Sequence, residues 1–243
     1  MNILGIGGVL GDAAAAVIRA GEIAAAVEEA KLTRRPEPGL PDAAIAACLS
    51  IAKLKPSDID HVALARPLPP ESALPAALRV FTKAKVDTVD HHAAHAAAAF
   101  YASPFEEARV ITLDREGDLR CGAIWKGSGN TLTLEEEILY PDSIAELYGR
   151  VTELLGMRSR SDEHRVQWLS MTGKPAFSKI FDELIHDRSV NSNVTLAEAL
   201  EPEGRADLAA SMQQALEQYV LRLADGATNI CLGGGVAWNA VLV

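Results

Sequence analysis

Residues 2–29 read NILGIGGVLGDAAAAVIRAGEIAAAVEE, and the stretch parses as three strands. Asn2–Gly8 is a β-rich run ending in glycines. Asp12–Ala20 is a second strand, and Gly21-Glu22 makes a tight turn into a third, Ile23–Glu29. Near residue 108 the plan restarts. Arg109–Leu113 is a strand that ends in a turn, Asp114-Arg115-Glu116-Gly117-Asp118. Leu119–Lys126, a Gly127-Ser128-Gly129-Asn130 turn and Thr131–Leu139 follow. Placing Asp118 on Asp12 aligns the two hairpins without a gap, though few residues are identical. Two unrelated meanders are the competing reading; the shared order of elements favours a repeat.

The rest of the chain extends each half. Asp42 is placed to cap a helix running to about Lys53, Ile59–Arg66 is a strand, Ala73–Phe81 a helix and Val86–Val89 a strand. The alanine-rich run His91–Tyr101, closed by Ser103-Pro104, is a further helix, giving the order βββαβαβα. The second half continues with a helix at Ile144–Gly156 and an irregular insertion over about 157–200. A long helix, Gly204–Ala224, carries Leu208, Met212, Leu216, Val220 and Leu223 at helical spacing. Strand Thr228–Leu232, the turn Gly233-Gly234-Gly235 and the start of a helix at Val236–Val243 complete it. The expected architecture is α/β with two lobes, 1–105 and 106–243, the second short of one strand and one helix at the C-terminus.

Composition narrows the function classes. Apolar residues make up 49% of the 243, enough for a real core. With 33 acidic and 23 basic residues the net charge is −10, and no Lys/Arg block interrupts it, which argues against a nucleic-acid partner. Cys48, Cys121 and Cys231 are scattered, form no CxxC pair and point to a reducing, cytoplasmic location. The N-terminal run has no basic leader and is interrupted by Asp12. No apolar stretch approaches the ~20 residues needed to span a bilayer, so no membrane partner is expected.

Three motifs carry chemistry. His91 and His95 sit at i and i+4, so one helical face presents both imidazoles, the spacing a metal asks of two nitrogen ligands; alanine's own helix preference is the plainer account of the run. Gly233–Gly235 joins a strand to a helix, where the backbone can approach a ligand and helix N–H groups meet an anion such as a nucleotide phosphate. Asp114–Asp118 is a turn whose carboxylates could hold a metal or orient water, although Asp and Gly favour turns in any case.

Together, the runs GIGGVLGDAAAAVIRAGEIAAAVEEAKLTRR, HHAAHAAAAFYASPFEEA, LDREGD and GGGVAWN resemble the nodulation-type carbamoyltransferases, the NodU/CmcH family. The resemblance runs in order over nearly the whole chain and is weakest over residues 140–227. It implies the actin/sugar-kinase superfamily (ASKHA) fold, two RNase H-like lobes with a nucleotide cleft. It also implies transfer of a carbamoyl group from carbamoyl adenylate, made from carbamoyl phosphate and ATP in a companion YrdC-like domain, to a small-molecule hydroxyl. Carried over residue by residue, His91, His95 and Asp114 are the expected ligands of a divalent metal, typically Fe(II). Gly117, Asp118, Gly233, Gly234, Gly235 and Asn239 are expected around ATP or ADP, with Trp238 where the family has leucine. Asp12 is the candidate catalytic residue, but Gly11 stands where the family's first hairpin carries histidine. Arg115 replaces a turn glycine, where its side chain is expected to crowd a phosphate approaching Asp114. A non-catalytic nucleotide-binding or scaffold fragment, dimerising or joined to the YrdC-like partner, is the alternative expectation. A tRNA threonylcarbamoyl-transfer protein would share the fold and histidine pair, and the acidic balance weighs against it.

Overall fold

The structure is a computed structural model that describes residues 1–35, 38–66, 78–81, 83–187, 189–191 and 202–243. Contacts divide the chain into two units, Met1–Ala94 and His95–Val243.

The first unit is built on β1 (Asn2–Gly7), β2 (Ala14–Arg19) and β3 (Glu22–Glu28), an antiparallel meander. A short helix α1 (Glu29–Thr33) and helix α2 (Asp42–Ala52) follow, then β4 (His61–Ala65) and β5 (Lys85–Val89), both parallel to β1. The sheet order is β3-β2-β1-β4-β5. Alternation along β1 and β2 sends Leu4, Ile6, Ala15 and Val17 inward, where they meet Ala44, Ile45, Cys48, Leu49 and Ala52 of α2. Each fully buried Leu, Ile or Val contributes about 1.5–3 kcal/mol. The start of α2 is not capped by Asp42. Glu29 reaches back instead, its carboxylate accepting from Ala43 N at 3.1 Å and Ala44 N at 2.7 Å.

Helix α3 (His91–Tyr101) begins where Asp90 Oδ1 accepts from Ala93 N at 3.0 Å, and the division between the units falls within this helix, after Ala94. The second unit repeats the meander in β6 (Glu107–Gly117), β7 (Arg120–Ser128) and β8 (Thr131–Leu139), with β11 (Ile230–Gly233) parallel to β6. Its order, β11-β6-β7-β8, matches β4-β1-β2-β3 of the first unit, so the repeat expected from the two hairpins is real at the level of topology. Helices α4 (Ile144–Leu154), α5 (Glu163–Ser170), α6 (Ser178–Leu184) and α7 (Pro202–Ala224) cover it, with a two-stranded ribbon, β9 (Ile185–His186) and β10 (Ser189–Val190). The predicted stripe on α7, Leu208, Met212, Leu216, Val220 and Leu223, is buried against Ile111, Leu113, Ile124, Leu147 and Val151 of the same core.

Several expectations need correction. Residues 157–200 are not wholly irregular, since α5 and α6 lie there. The segment after Gly235 is a single 3-10 turn, Gly235–Trp238, rather than the start of an α-helix. Strand β7 runs on through Ser128, leaving Gly129-Asn130 alone as the turn. Most of the expected helix Ala73–Phe81 lies outside the described residues; Leu78–Val80 is a 3-10 turn. No helix among the described residues is long and apolar enough to cross a membrane.

Candidate metal centre

Helix α3 puts His91 and His95 on consecutive turns of one face. Asp114, expected in a turn, sits within β6. The ladder to β7 pairs Leu113 with Gly122 and resumes at Gly117 with Arg120, so residues 114–116 bulge out of register. That bulge displays the Asp114 carboxylate, whose Oδ2 lies 3.2 Å from His95 Nε2. Each of His91, His95 and Asp114 offers a ligand atom within 4.8 Å of the other two. His91 Nδ1 lies 3.1 Å from the carbonyl of Arg66, which favours the proton on Nδ1 and the lone pair on Nε2, the tautomer a metal-binding imidazole requires. Two neutral nitrogens and one carboxylate oxygen suit a divalent transition ion such as iron, zinc or manganese. The side chains of His95 and Asp114 are 35% and 23% exposed, so further ligands can reach a bound ion.

The glycine turn packs against this cluster. A Cβ on Gly233 would lie 2.9 Å from His95 O; on Gly234 it would strike the backbone of Leu113; on Gly235 it would lie 2.9 Å from Asp114 Oδ1. Three glycines are needed here because β11 and its turn press on the residues that carry the ligands.

The remaining expected residues fall elsewhere. Gly117 is buried at the end of the bulge and Asp118 stands at the β6–β7 turn with φ +55°. Asn239 is 5% exposed and its amide is committed within the protein: Nδ2 donates to Gln213 Oε1 at 2.9 Å, and Oδ1 accepts from Val241 N and Leu242 N at 3.1 Å. Asn239 therefore anchors the segment after the glycines to α7, while Trp238 beside it is exposed. Asp12 belongs to the first unit, exposed at the β1–β2 turn with φ +54°.

The Arg115 side chain is directed onto α4 and the turn that follows it. Its guanidinium donates from Nε to Glu146 Oε2 and from Nη1 to Ser159 Oγ at 2.6 Å. The Arg115 hydrogen bond holds the Glu146 carboxyl below its ordinary value against the opposing effect of burial. Sequence reasoning missed Glu146, Ser143 and Ser159, which are scattered between positions 143 and 159 without a motif.

Comparisons with known proteins fit this arrangement. Residues 71–193 match the family model described as the carbamoyltransferase N-terminus. An uncharacterized Synechocystis protein, sll1178, is 29% identical over 99% of this chain and 51% of its own length. Nodulation protein NolNO of Sinorhizobium fredii is 29% identical over 95% of this chain and 41% of its own. The chain thus spans about half the length of the curated relatives it matches. Among solved structures, T. kodakarensis HypF aligns with a TM-score of 0.59 at 14% identity over 99% of this chain and 42% of that one. The ROK hexokinase of Thermus thermophilus aligns at 0.54, also at 14% identity, over 99% and 84%. The fold is that of the actin/sugar-kinase superfamily. The match of 71–193 covers half of the chain and takes in both histidines, Asp114 and the whole second meander, so the chain belongs to the carbamoyltransferase N-terminal family.

Proposed function

We propose that this chain is the transfer part of a carbamoyltransferase, moving a carbamoyl group from carbamoyl adenylate to the hydroxyl of a small molecule. Carbamoyl adenylate would come from carbamoyl phosphate and ATP in a YrdC-like partner domain. The observation that carries the reading is the His91–His95–Asp114 cluster, a three-donor set inside the region that matches the family. These residues would hold a divalent ion, Fe(II) in the family's manner, and a bound ion there would act as a Lewis acid on a carbamoyl or phosphoryl oxygen.

The chain's own residues supply the rest. The carbonyl of Arg66 sets the His91 tautomer, and Arg115 N donates to Asp114 Oδ1 at 2.9 Å, leaving Oδ2 directed at His95. The backbone of Gly233–Gly235 is the proposed contact for the nucleotide's phosphates, with Gly117 and Asp118 at the neighbouring hairpin. Asp12 is the proposed acceptor of the proton that the substrate hydroxyl gives up. Asn239 serves the nucleotide indirectly, by fixing the glycine segment on Gln213.

The test is direct. Anaerobic Fe(II) or Co(II) uptake should approach one ion per chain and fall away in His91→Ala, His95→Ala and Asp114→Asn, and calorimetry should show ADP binding. Absence of both metal and nucleotide binding overturns the reading. Binding of both with no transfer from added carbamoyl adenylate moves the chain to the non-catalytic alternative.

A further inference from the structure

Residues 114–116 leave the ladder with β7, so the sheet does not by itself fix the backbone that carries Asp114. The second unit fixes it from the other side. Ser143, 1% exposed at the start of α4, donates from Oγ to Arg115 O at 2.9 Å and accepts from Glu146 N at 3.1 Å. The Arg115 side chain runs onto the same helix, where Glu146 Oε2 accepts from Nε, and reaches the turn beyond it, where Ser159 Oγ accepts from Nη1. Its guanidinium packs close against Gly149: a Cβ there would fall 2.8 Å from Arg115 Nη2 and from Ser159 Oγ. The Arg115 and Glu146 side chains are only 18% and 15% exposed. With both its carbonyl and its guanidinium held, Arg115 has one backbone group directed at the cluster, the N–H that donates to Asp114 Oδ1. That bond distinguishes the two carboxylate oxygens and leaves Oδ2 facing His95.

We propose that Arg115 and Glu146 are positioning residues for Asp114, an ion pair that sets the orientation of a metal-ligating carboxylate through one backbone hydrogen bond. The inference rests on the metal reading above for its function, and on the described contacts alone for its geometry. It assigns a purpose to the arginine that stands where a glycine was expected. Hydrogen-bonded partners of ligands ordinarily change metal affinity by about 10–100-fold when removed.

The experiment compares wild type with Arg115→Met, Glu146→Gln and the double variant R115M/E146L, reading Co(II) affinity by competition with a chromophoric chelator and thermal unfolding in parallel. Removing one partner strands a buried charge, whereas replacing both with apolar groups is close to neutral for folding, so the double variant guards against simple unfolding. Ser159→Ala is a milder second probe, expected to weaken Co(II) in the same direction by less. The double variant should bind Co(II) about tenfold more weakly, and no more weakly than the worse single variant, because both residues act through one bond. Arg109→Met, which breaks the 3.2 Å Arg109–Glu135 pair at the other end of β6, should leave affinity unchanged. Wild-type affinity in R115M/E146L overturns the proposal. If wild type takes up no Co(II), the metal reading fails, and the positioning inference is decided in the metal-free protein by side-chain 15N NMR of His95. The signature of Nε2–H bonded to Asp114, present in wild type and lost in R115M/E146L, supports it; persistence in the variant overturns it.

Discussion

Gly234→Ala and Gly235→Ala, one residue apart, should fail in opposite ways. Gly234 has φ +85° and ψ 179°, a conformation open essentially to glycine alone, and forcing it on alanine costs about 1–3 kcal/mol. The new Cβ would also meet Leu113, whose backbone is held in the β6–β7 ladder and cannot step aside, adding about 1–3 kcal/mol of overpacking. At about 2–4 °C per kcal/mol for a unit of this size, the unfolding midpoint should fall by ~4–24 °C. Gly235 lies in the 3-10 turn with an ordinary φ, and the atom its Cβ would approach, at 2.9 Å, is Asp114 Oδ1, the end of a side chain that can rotate. Folding should be nearly unaffected, since alanine also restricts the unfolded chain by about 0.4–1 kcal/mol. Metal affinity should drop about tenfold as the carboxylate is displaced. Differential scanning fluorimetry and Co(II) competition on the two variants read both effects. A G234A protein that unfolds with the wild type, or a G235A protein that loses stability while keeping its metal affinity, would refute the packing argument.

Other expectations follow from packing and charge elsewhere in the molecule. Phe100, 2% exposed at the end of α3, lies where a Cβ on Gly127 would come within 2.7 Å of its ring, so Phe100→Ala should cost about 3–5 kcal/mol and Gly127→Ala about 1–3 kcal/mol in chemical denaturation. The hydrogen bond from Arg115 holds the Glu146 carboxyl below its ordinary value in the folded protein. Its stabilisation is therefore present at neutral pH and is lost as pH falls below the ordinary carboxylate range and through the depressed value. The stability gap between wild type and Glu146→Gln should accordingly close on acidification; a gap that stays constant down to the acid transition contradicts this. All three cysteines are buried, and burial pushes the Cys121 thiol up to about 12. Thiol reagents at pH 8 should leave Cys121 unlabelled in the native protein and label it in denaturant.

The repeated meander was legible because strand alternation and glycine-bearing turns are local signals, and Thr131–Leu139 is a strand over the very residues expected. The histidine pair was legible because a helix turns two residues at i and i+4 to one side. Asp114 was misread as a turn residue since Asp-Arg-Glu-Gly-Asp has turn composition, whereas a bulge keeps the chain extended. Helix α5, EHRVQWLS, buries Val166, Gln167 and Ser170, so polar residues occupy positions where periodicity looks for apolar ones. The pairing of Asn239 with Gln213 was not legible, because the two residues are 26 apart in sequence, beyond any local pattern. The place of Arg115 in the chain was visible, whereas the direction of its side chain depends on Glu146 and Ser159, brought near only by folding.

The bulge in β6 has a dynamic consequence. Leu113 and Gly117 remain paired with β7 while the three residues between them have given up regular sheet bonding. Amide protons there are guarded by local contacts, so their exchange with solvent reports small openings rather than global unfolding. Under the proposed metal reading, the carboxylate takes up or releases an ion without the sheet coming apart. A deuterium-exchange map would show this as a fast-exchanging notch within a slow strand, filling in when metal is added.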